Sequence, residues 1–251
     1  MGVRVPQPPQ GWAALRWEVG VVFVGVVLAL GAQQLADTLY WQGQAEQAKR
    51  AIEAELMEHE VDSYERLIVQ PCLTRQLRDL HSRLASHRGE WRGSPMVTRQ
   101  ELNETTTKLA IPTGYRAPAR FWPKEAWERA QATGAVNHLP DALVATYAEI
   151  YTRSLRNKLI EENERTAAAR LSALAINGPI EPSSRIMLLE AIALTDQASS
   201  TVVNDARQNL DRLRLVLRDV PRERRRKALA ERLELQRTFR GACVKDVPVQ
   251  L

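Results

Sequence analysis

Hydrophobic and polar positions divide this chain into one unbroken apolar block and a long remainder of stripes. Residues 19–36, VGVVFVGVVLALGAQQLA, carry no charge. A helix crosses a hydrocarbon core of about 30 Å with roughly 20 apolar residues, so the block predicts a transmembrane helix over 17–38. Trp12 and Trp17 stand at one end, Tyr40 and Trp41 at the other. Such amphipathic rings favour the headgroup region. Arg16 and Glu18 can extend outward at the first boundary. The valines do not oppose a helix, because lipid offers the backbone no other way to satisfy its hydrogen bonds. Residues 1–16, with Pro6, Pro8 and Pro9, read as a disordered tail. The rival reading is a cleaved signal peptide, with 19–30 as its apolar region and Ala29-Leu30-Gly31 as a small-x-small site. A buried core helix is the third reading. Because the apolar character continues through Leu35 and Ala36, an uncleaved anchor is expected.

Beyond the block the pattern turns helical. Ala45, Ala48, Ile52, Leu56 and His59 recur at three- and four-residue spacing, and Leu73, Leu77, Leu80 and Leu84 form a second stripe. Pro71 between them fits the first turn of a new helix. From 89 to 123 the periodicity lapses under repeated Gly and Pro, with a short helical candidate over 98–110. A helix over 124–133 is closed by Gly134. A long one opens at Asp141 with Leu143, Tyr147, Ile150, Leu155, Leu159, Leu171 and Leu174 as apolar members, and stops at Asn177-Gly178-Pro179. Ser183 or Ser184 caps the next, striped by Met187, Ala191, Leu194 and Ala198 and then by Leu210, Leu213, Leu217 and Val220. After Pro221 a last helix runs to about Arg240. No strand is predicted. The fold expected is all-α: an N-terminal transmembrane helix, then an α-helical bundle with long antiparallel helices over 39–251.

Charge and cysteine content refine this picture. The net charge is +5, but between 207 and 245 thirteen Lys or Arg face five Asp or Glu, so the rest of the chain is slightly acidic. Arg4, Arg16 and the amino terminus precede the span, whereas Lys49 and Arg50 lie well past it. The positive-inside rule then places the N-terminus in the cytoplasm and the helical domain in the periplasm. Cys72 and Cys243 are the only cysteines. In an oxidising compartment they would close one long loop; two unrelated thiols are the alternative.

Within the span, Val19 opens a run in which Gly25, Ala29, Ala32 and Ala36 share a helix face. Small residues on one face permit close helix approach, with Gln33 beside them as a hydrogen-bonding group. A homodimer through this face is expected. The irregular region 89–123 holds Trp91, Tyr115, Phe121 and Trp122, with Trp127 just after. Long irregular segments are often functional, which makes it a candidate ligand or partner loop; its aromatics plugging onto the core is the bland alternative.

Candidate chemistry is thin. Glu55, His59 and Asp62 share a helix face, and carboxylate with imidazole suits metals, yet a di-iron bundle needs Glu-x-x-His pairs from two helices. Neither His81 nor His138 has the required Glu. The stretch around His59 therefore reads as a solvated acidic face. Glu161, Glu162 and Glu164 offer paired carboxylates, but on a helix read as exposed. No phosphate-binding loop, dinucleotide fingerprint or nucleophile elbow is present. No cofactor and no metal is expected. Arg222, Arg224, Arg225, Arg226 and Lys227 form the densest basic run, suited to anionic lipid headgroups or, on a cytoplasmic domain, to nucleic acid. Export makes nucleic acid the less favoured partner, and a solvated face is the bland reading.

Two stretches carry a resemblance. Residues 17–30 with Gln33 and Gln34, and Trp127-Glu128-Arg129-Ala130 followed by Gly134-Ala135, Leu139-Pro140 and 147–151, resemble blocks of an uncharacterised family of bacterial single-pass membrane proteins. In these an anchor helix runs into an acidic amphipathic helix, as 51–60 does here. The resemblance covers about a quarter of the chain in loose hydrophobic patterns. It implies a single-pass bacterial membrane protein and supplies no site residue; with the topology above, the bacterial inner membrane is the expected location. The function expected is that of a non-enzymatic, membrane-anchored interaction or assembly protein, bound to the bilayer and to a protein partner. The alternatives are a tethered small-ligand-binding domain using 89–123, and a cytoplasmic-facing nucleic-acid or acidic-lipid binder using the basic C-terminal helix.

Overall fold

The computed structural model describes residues 11–93, 114–118 and 120–249. The first ten residues and the helical candidate over 98–110 lie outside them. Five helices account for most of the described chain: α1 (Gly11–Ala85), α2 (Glu125–Ala132), α3 (Asp141–Arg170), α4 (Pro182–Val216) and α5 (Arg222–Arg240). The fold is all-α. Two short strands, β1 (Glu90–Trp91) and β2 (Gly178–Pro179), pair antiparallel, where the sequence suggested none.

Helix α1 organises everything else. At 1.5 Å per residue its 75 residues extend about 110 Å. Its first part, already helical from Gly11, stands free of the other elements. Val19, Val22, Phe23, Leu28, Leu30, Leu35 and Leu39 are all exposed, and the helix here is apolar and long enough to cross a membrane. Gly25, Ala29, Ala32 and Ala36 are likewise exposed, with open space at Gly25. Trp41 stacks on His138 at 4.5 Å and marks where the bundle begins. The same helix then becomes the bundle's central member, with Ile52, Leu56, Ile68, Leu73 and Leu84 fully buried.

Pro71 lies inside α1 rather than opening a new helix. An internal proline removes the hydrogen bond to the carbonyl four residues back, here that of Leu67. The adjoining turn gains a partner instead: the Lys245 N–H donates to the Ile68 carbonyl at 3.0 Å. One residue on, Cys72 is joined to Cys243 by a disulfide. Tertiary packing on both sides of Pro71 outweighs the local break.

Contacts give the helix directions. Glu55, His59 and Arg66 of α1 meet Tyr151, Ser154 and Glu164 of α3, so these two run parallel. Glu60 and Glu65 meet Arg225 and Arg232, so α5 is parallel too. Helix α4 runs antiparallel to them, pairing Ser63 with Asn209 and Gln70 with Ser199. Two apolar layers result. One, near the span, gathers Ile52, Leu56, Trp127, Tyr147, Ile150, Leu213 and Leu217; the other, farther along, gathers Leu73, Leu77, Leu80, Leu84, Trp91, Leu171 and Leu174.

The turn from α3 to α4 is clamped by residues 90–93 and 114. Trp91 donates its indole N–H to the Leu174 carbonyl at 2.9 Å. A methyl group added at Gly114 would run into the Leu171 carbonyl oxygen, and one at Gly93 into that of Ala175. Backbone cannot yield as a flexible side chain would. Gly114→Ala is therefore expected to destabilise the protein by about 1–3 kcal/mol. An added methyl at Gly43, which meets nothing within 4 Å inside α1, should instead raise the thermal midpoint slightly, because alanine favours a helix interior over glycine.

Candidate functional site

Between the two apolar layers lies a polar one, built on α1 where the sequence reads H-E-V-D-S-Y-E-R. His59, Glu60, Ser63, Glu65 and Arg66 are at most 2% exposed. This is not the solvated acidic face that the charge density suggested. Its partners sit on α3, α4 and α5, some 90 to 170 positions away in the chain, and in the loop before α2, 55 to 64 positions away. Ser154, Asn157, Glu161 and Glu164 line the inward face of α3, while Leu155 and Leu159, read as stripe members, point outward and are exposed. On α4 the inward stripe is Leu188, Ala191, Thr195, Ser199 and Val202, leaving Met187 and Leu194 exposed.

His59 occupies one edge of this layer. Its Nε2 is 2.7 Å from the Pro123 carbonyl, which can only accept, so Nε2 carries the proton. Nδ1 then accepts from the Ser154 hydroxyl at 2.9 Å. Burial pushes the imidazole down to about 4, against a weaker upward pull from the Pro123 carbonyl and Glu125. Both nitrogens are engaged, and no grouping of His, Cys, Asp or Glu suited to a metal occurs among the described residues.

Glu60 forms a buried pair with Arg225, which donates from Nε to Oε2 at 2.9 Å and from Nη2 to Oε1. Arg225 is thus a core residue and does not belong to the exposed basic face. Arg222, Arg224, Arg226 and Lys227 remain exposed. Glu60 lies about 30 Å along α1 from Tyr40, which sets the height of the basic run above the end of the apolar segment.

A second cluster surrounds Glu65. Arg120 donates to it, Arg232 reaches it at 2.9 Å, and the Gln236 amide donates at 2.6 Å. Asp62 shares both guanidiniums, at 3.3 Å from Arg120 and 3.2 Å from Arg232. Burial pushes Asp62 up to about 6 despite them.

The third cluster brings together the two carboxylates that the sequence placed on an exposed surface. Glu164 accepts from Arg66 at 2.6 Å and from the Tyr115 hydroxyl at 2.7 Å, and Arg66 also donates to Ser199 at 2.8 Å. Glu161 is held differently. Its Oε2 accepts the Arg120 backbone N–H at 3.2 Å and the Trp122 indole N–H at 3.3 Å, and no guanidinium or ammonium pairs with it among the described residues. Burial pushes Glu161 up to about 7, opposed by the Arg120 backbone N–H and the Arg66 charge. Glu162, between them, is exposed and pairs with Arg165.

Trp122 is itself unusual, with φ of 51° in the left-handed region. A bulky residue there costs on the order of 1–3 kcal/mol and persists only where its surroundings impose it. The following Pro123 further disfavours the right-handed α conformation, and the indole is committed to Glu161.

The candidate loop aromatics do not converge. Trp91 packs in the far apolar layer, Trp127 stacks on Tyr151 in the near one, Tyr115 and Trp122 join the polar layer, and Phe121 is 92% exposed. Two openings adjoin the polar layer instead. A cavity of about 370 Å³ is lined by Tyr115, Ala117, Pro118, Glu161, Glu164 and Ala168, among others. A smaller one of about 280 Å³ has Arg116, Arg120, Phe239 and Arg240 in its walls.

Opposed pH dependences follow. The folded state holds His59 neutral, so its contribution falls away as pH drops from 6.5 towards 4, where the unfolded chain takes up the proton. Glu161 is raised, so its contribution is complete below the unfolded value of 4.5 and is lost as pH rises through about 7. Glu161→Gln keeps an acceptor for the two N–H donors and removes the charge. Its thermal midpoint is expected to exceed that of the parent protein at pH 8 by several degrees. At pH 5, where the parent already carries the proton, the two midpoints should converge.

No protein-family model, curated protein or solved structure matches this chain.

Proposed function

We propose that the chain is a single-pass protein of a bacterial inner membrane, with a disulfide-closed helical domain on the exported side that engages another protein and performs no chemical step. The observation that carries this reading is the continuity of α1. Its exposed apolar segment runs without a break into the core of the bundle. Soluble monomers seldom expose contiguous apolar patches beyond a few hundred Å², so burial of this segment in a bilayer is the natural resolution. A second apolar helix, α4, is long enough to span, but it packs along one side against α1 and α3 and bears buried Thr195, Ser199 and Asn209.

The disulfide supports an oxidising compartment. The height of the remaining cations above the apolar segment weighs against headgroup binding through that helix, and an exported domain would not meet nucleic acid. Engagement of a protein is supported by the outer face of α3 and α4. Leu155, Leu159, Ile186, Met187 and Leu194 are exposed there, beside a groove of about 420 Å³ that includes Ile160, Ala167 and Ala198.

A photo-crosslinking residue at Leu159 or Leu194, introduced into the full chain in native membranes, tests the reading. A discrete adduct is expected from both positions and none from Thr238, an exposed site on α5. Adducts equally abundant from all three, or none from any, would overturn it.

A further inference from the structure

We infer that the cavity between residues 115–118 and α3 is a binding site for a small organic ammonium ion, whose charge is received by Glu161 and whose alkyl part lies against Tyr115, Ala117, Pro118 and Ala168. This extends the chemistry of the polar layer and does not depend on the protein-binding face of α3 and α4.

Charge balance is the first argument. Excluding the self-contained Glu60–Arg225 pair, the polar layer holds four carboxylates, Asp62, Glu65, Glu161 and Glu164, against three guanidiniums, Arg66, Arg120 and Arg232. One negative charge lacks a counter-ion. Asp62 and Glu65 both touch Arg120 and Arg232, and Glu164 touches Arg66. The deficit therefore falls on Glu161. A buried carboxylate without a cation takes up a proton or a charged ligand.

Placement is the second argument. Glu161 is 8% exposed and lines the cavity. Both hydrogen bonds it accepts go to Oε2, so among the described residues Oε1 has no donor and remains available. An ammonium supplies what is missing, a charge and donors. The walls beyond the carboxylates are mostly apolar, which suits a short alkyl chain. Arg116 and Arg165 stand at the mouth, both exposed, and Arg165 is paired with Glu162 at 3.6 Å. Solvent screens their repulsion of an incoming cation. The groups around Glu161 are thus Arg66 from α1, Glu164 and Arg165 from α3, and Tyr115, Arg116, Arg120 and Trp122 from the loop.

Calorimetric titration of the full chain in detergent with n-butylammonium chloride tests the assignment, with n-butanol and butyrate as controls. Saturable binding of the ammonium alone is expected. Because the ligand displaces the Glu161 proton, affinity should be about eight-fold lower at pH 6 than at pH 7.5. Glu161→Gln should abolish binding while the protein stays folded at both pH values. Ala169→Trp, which fills the cavity wall and leaves the carboxylate in place, should also abolish it. Heats that do not saturate, equal binding of butanol or butyrate, or binding retained in Glu161→Gln would each overturn the proposal. Loss in Glu161→Gln but full retention in Ala169→Trp would place the ammonium elsewhere and overturn it as well.

Discussion

Replacing Arg225 by alanine is expected to destabilise the bundle by about 3–5 kcal/mol, because Glu60 would then be left as an uncompensated buried charge. Glu60 is 1% exposed. The paired change tests the cause. Removing both charges at once with Glu60→Met and Arg225→Met should recover most of the loss, since apolar side chains of similar length replace buried ion pairs at little cost. Denaturant unfolding of the solubilised chain gives both numbers. A loss below about 1 kcal/mol in Arg225→Ala, the value ordinary for an exposed pair, would mean that the side chain is solvated. Arg224→Ala, on the exposed face of the same helix, serves as the comparison and should be near neutral.

Loss of the disulfide should have an effect of similar size by a different route. Cys72 and Cys243 are separated by 171 residues, and the chain-entropy relation gives about 5 kcal/mol for a loop of that length. Cys72→Ser, Cys243→Ser and reduction of the parent protein are expected to agree, each lowering the thermal midpoint by roughly 10–20 °C in a domain of this size. A local effect should accompany the global one. The segment after Cys243 is held by the Lys245 N–H on Ile68, by Tyr64 donating to Asp246 at 2.8 Å, and by Val247 and Val249 against the core. Hydrogen exchange at Lys245 should accelerate on reduction well before the bundle opens. Unchanged exchange there would show that these contacts suffice without the covalent link.

Helical periodicity carried much of this architecture, and its main failure lies in the polar layer. Leu73, Leu77, Leu80 and Leu84 recur in phase and are all buried. The apolar block of α1 was equally legible, because eighteen consecutive residues without a charge seldom suit a helix surface in water. The polar layer was not, since a carboxylate in a local window signals solvent and its guanidinium partners lie 55 to 167 positions away. A signal was nevertheless present. Ser154, Asn157, Glu161 and Glu164 follow Tyr147 and Ile150 at helical spacing, and Thr195, Ser199 and Asn209 keep phase with Ala191, Val202, Ala206 and Leu213. Polar residues that hold the phase of a buried stripe mark interior positions. Leu155 and Leu159, apolar yet exposed, fall out of that phase and mask the site when they are counted in the stripe.

Arg225 was concealed in another way. Within Arg222 to Lys227 every residue but Glu223 is basic, so composition treats them alike, while helix geometry turns only one inward. Pro71 misled by local chemistry, where a proline ordinarily ends or begins a helix. Packing of α1 on three other helices, together with the nearby disulfide, carries the helix through it.

Topology in intact cells tests the central claim most directly. Reporter fusions after Tyr40 and at the C-terminus would be read together with the mass of the mature protein and the reactivity of its thiols. Both fusions are expected to report the exported side, with the apolar segment retained and with Cys72 and Cys243 reacting only after reduction. A cytoplasmic C-terminus with two freely reactive thiols would contradict the claim.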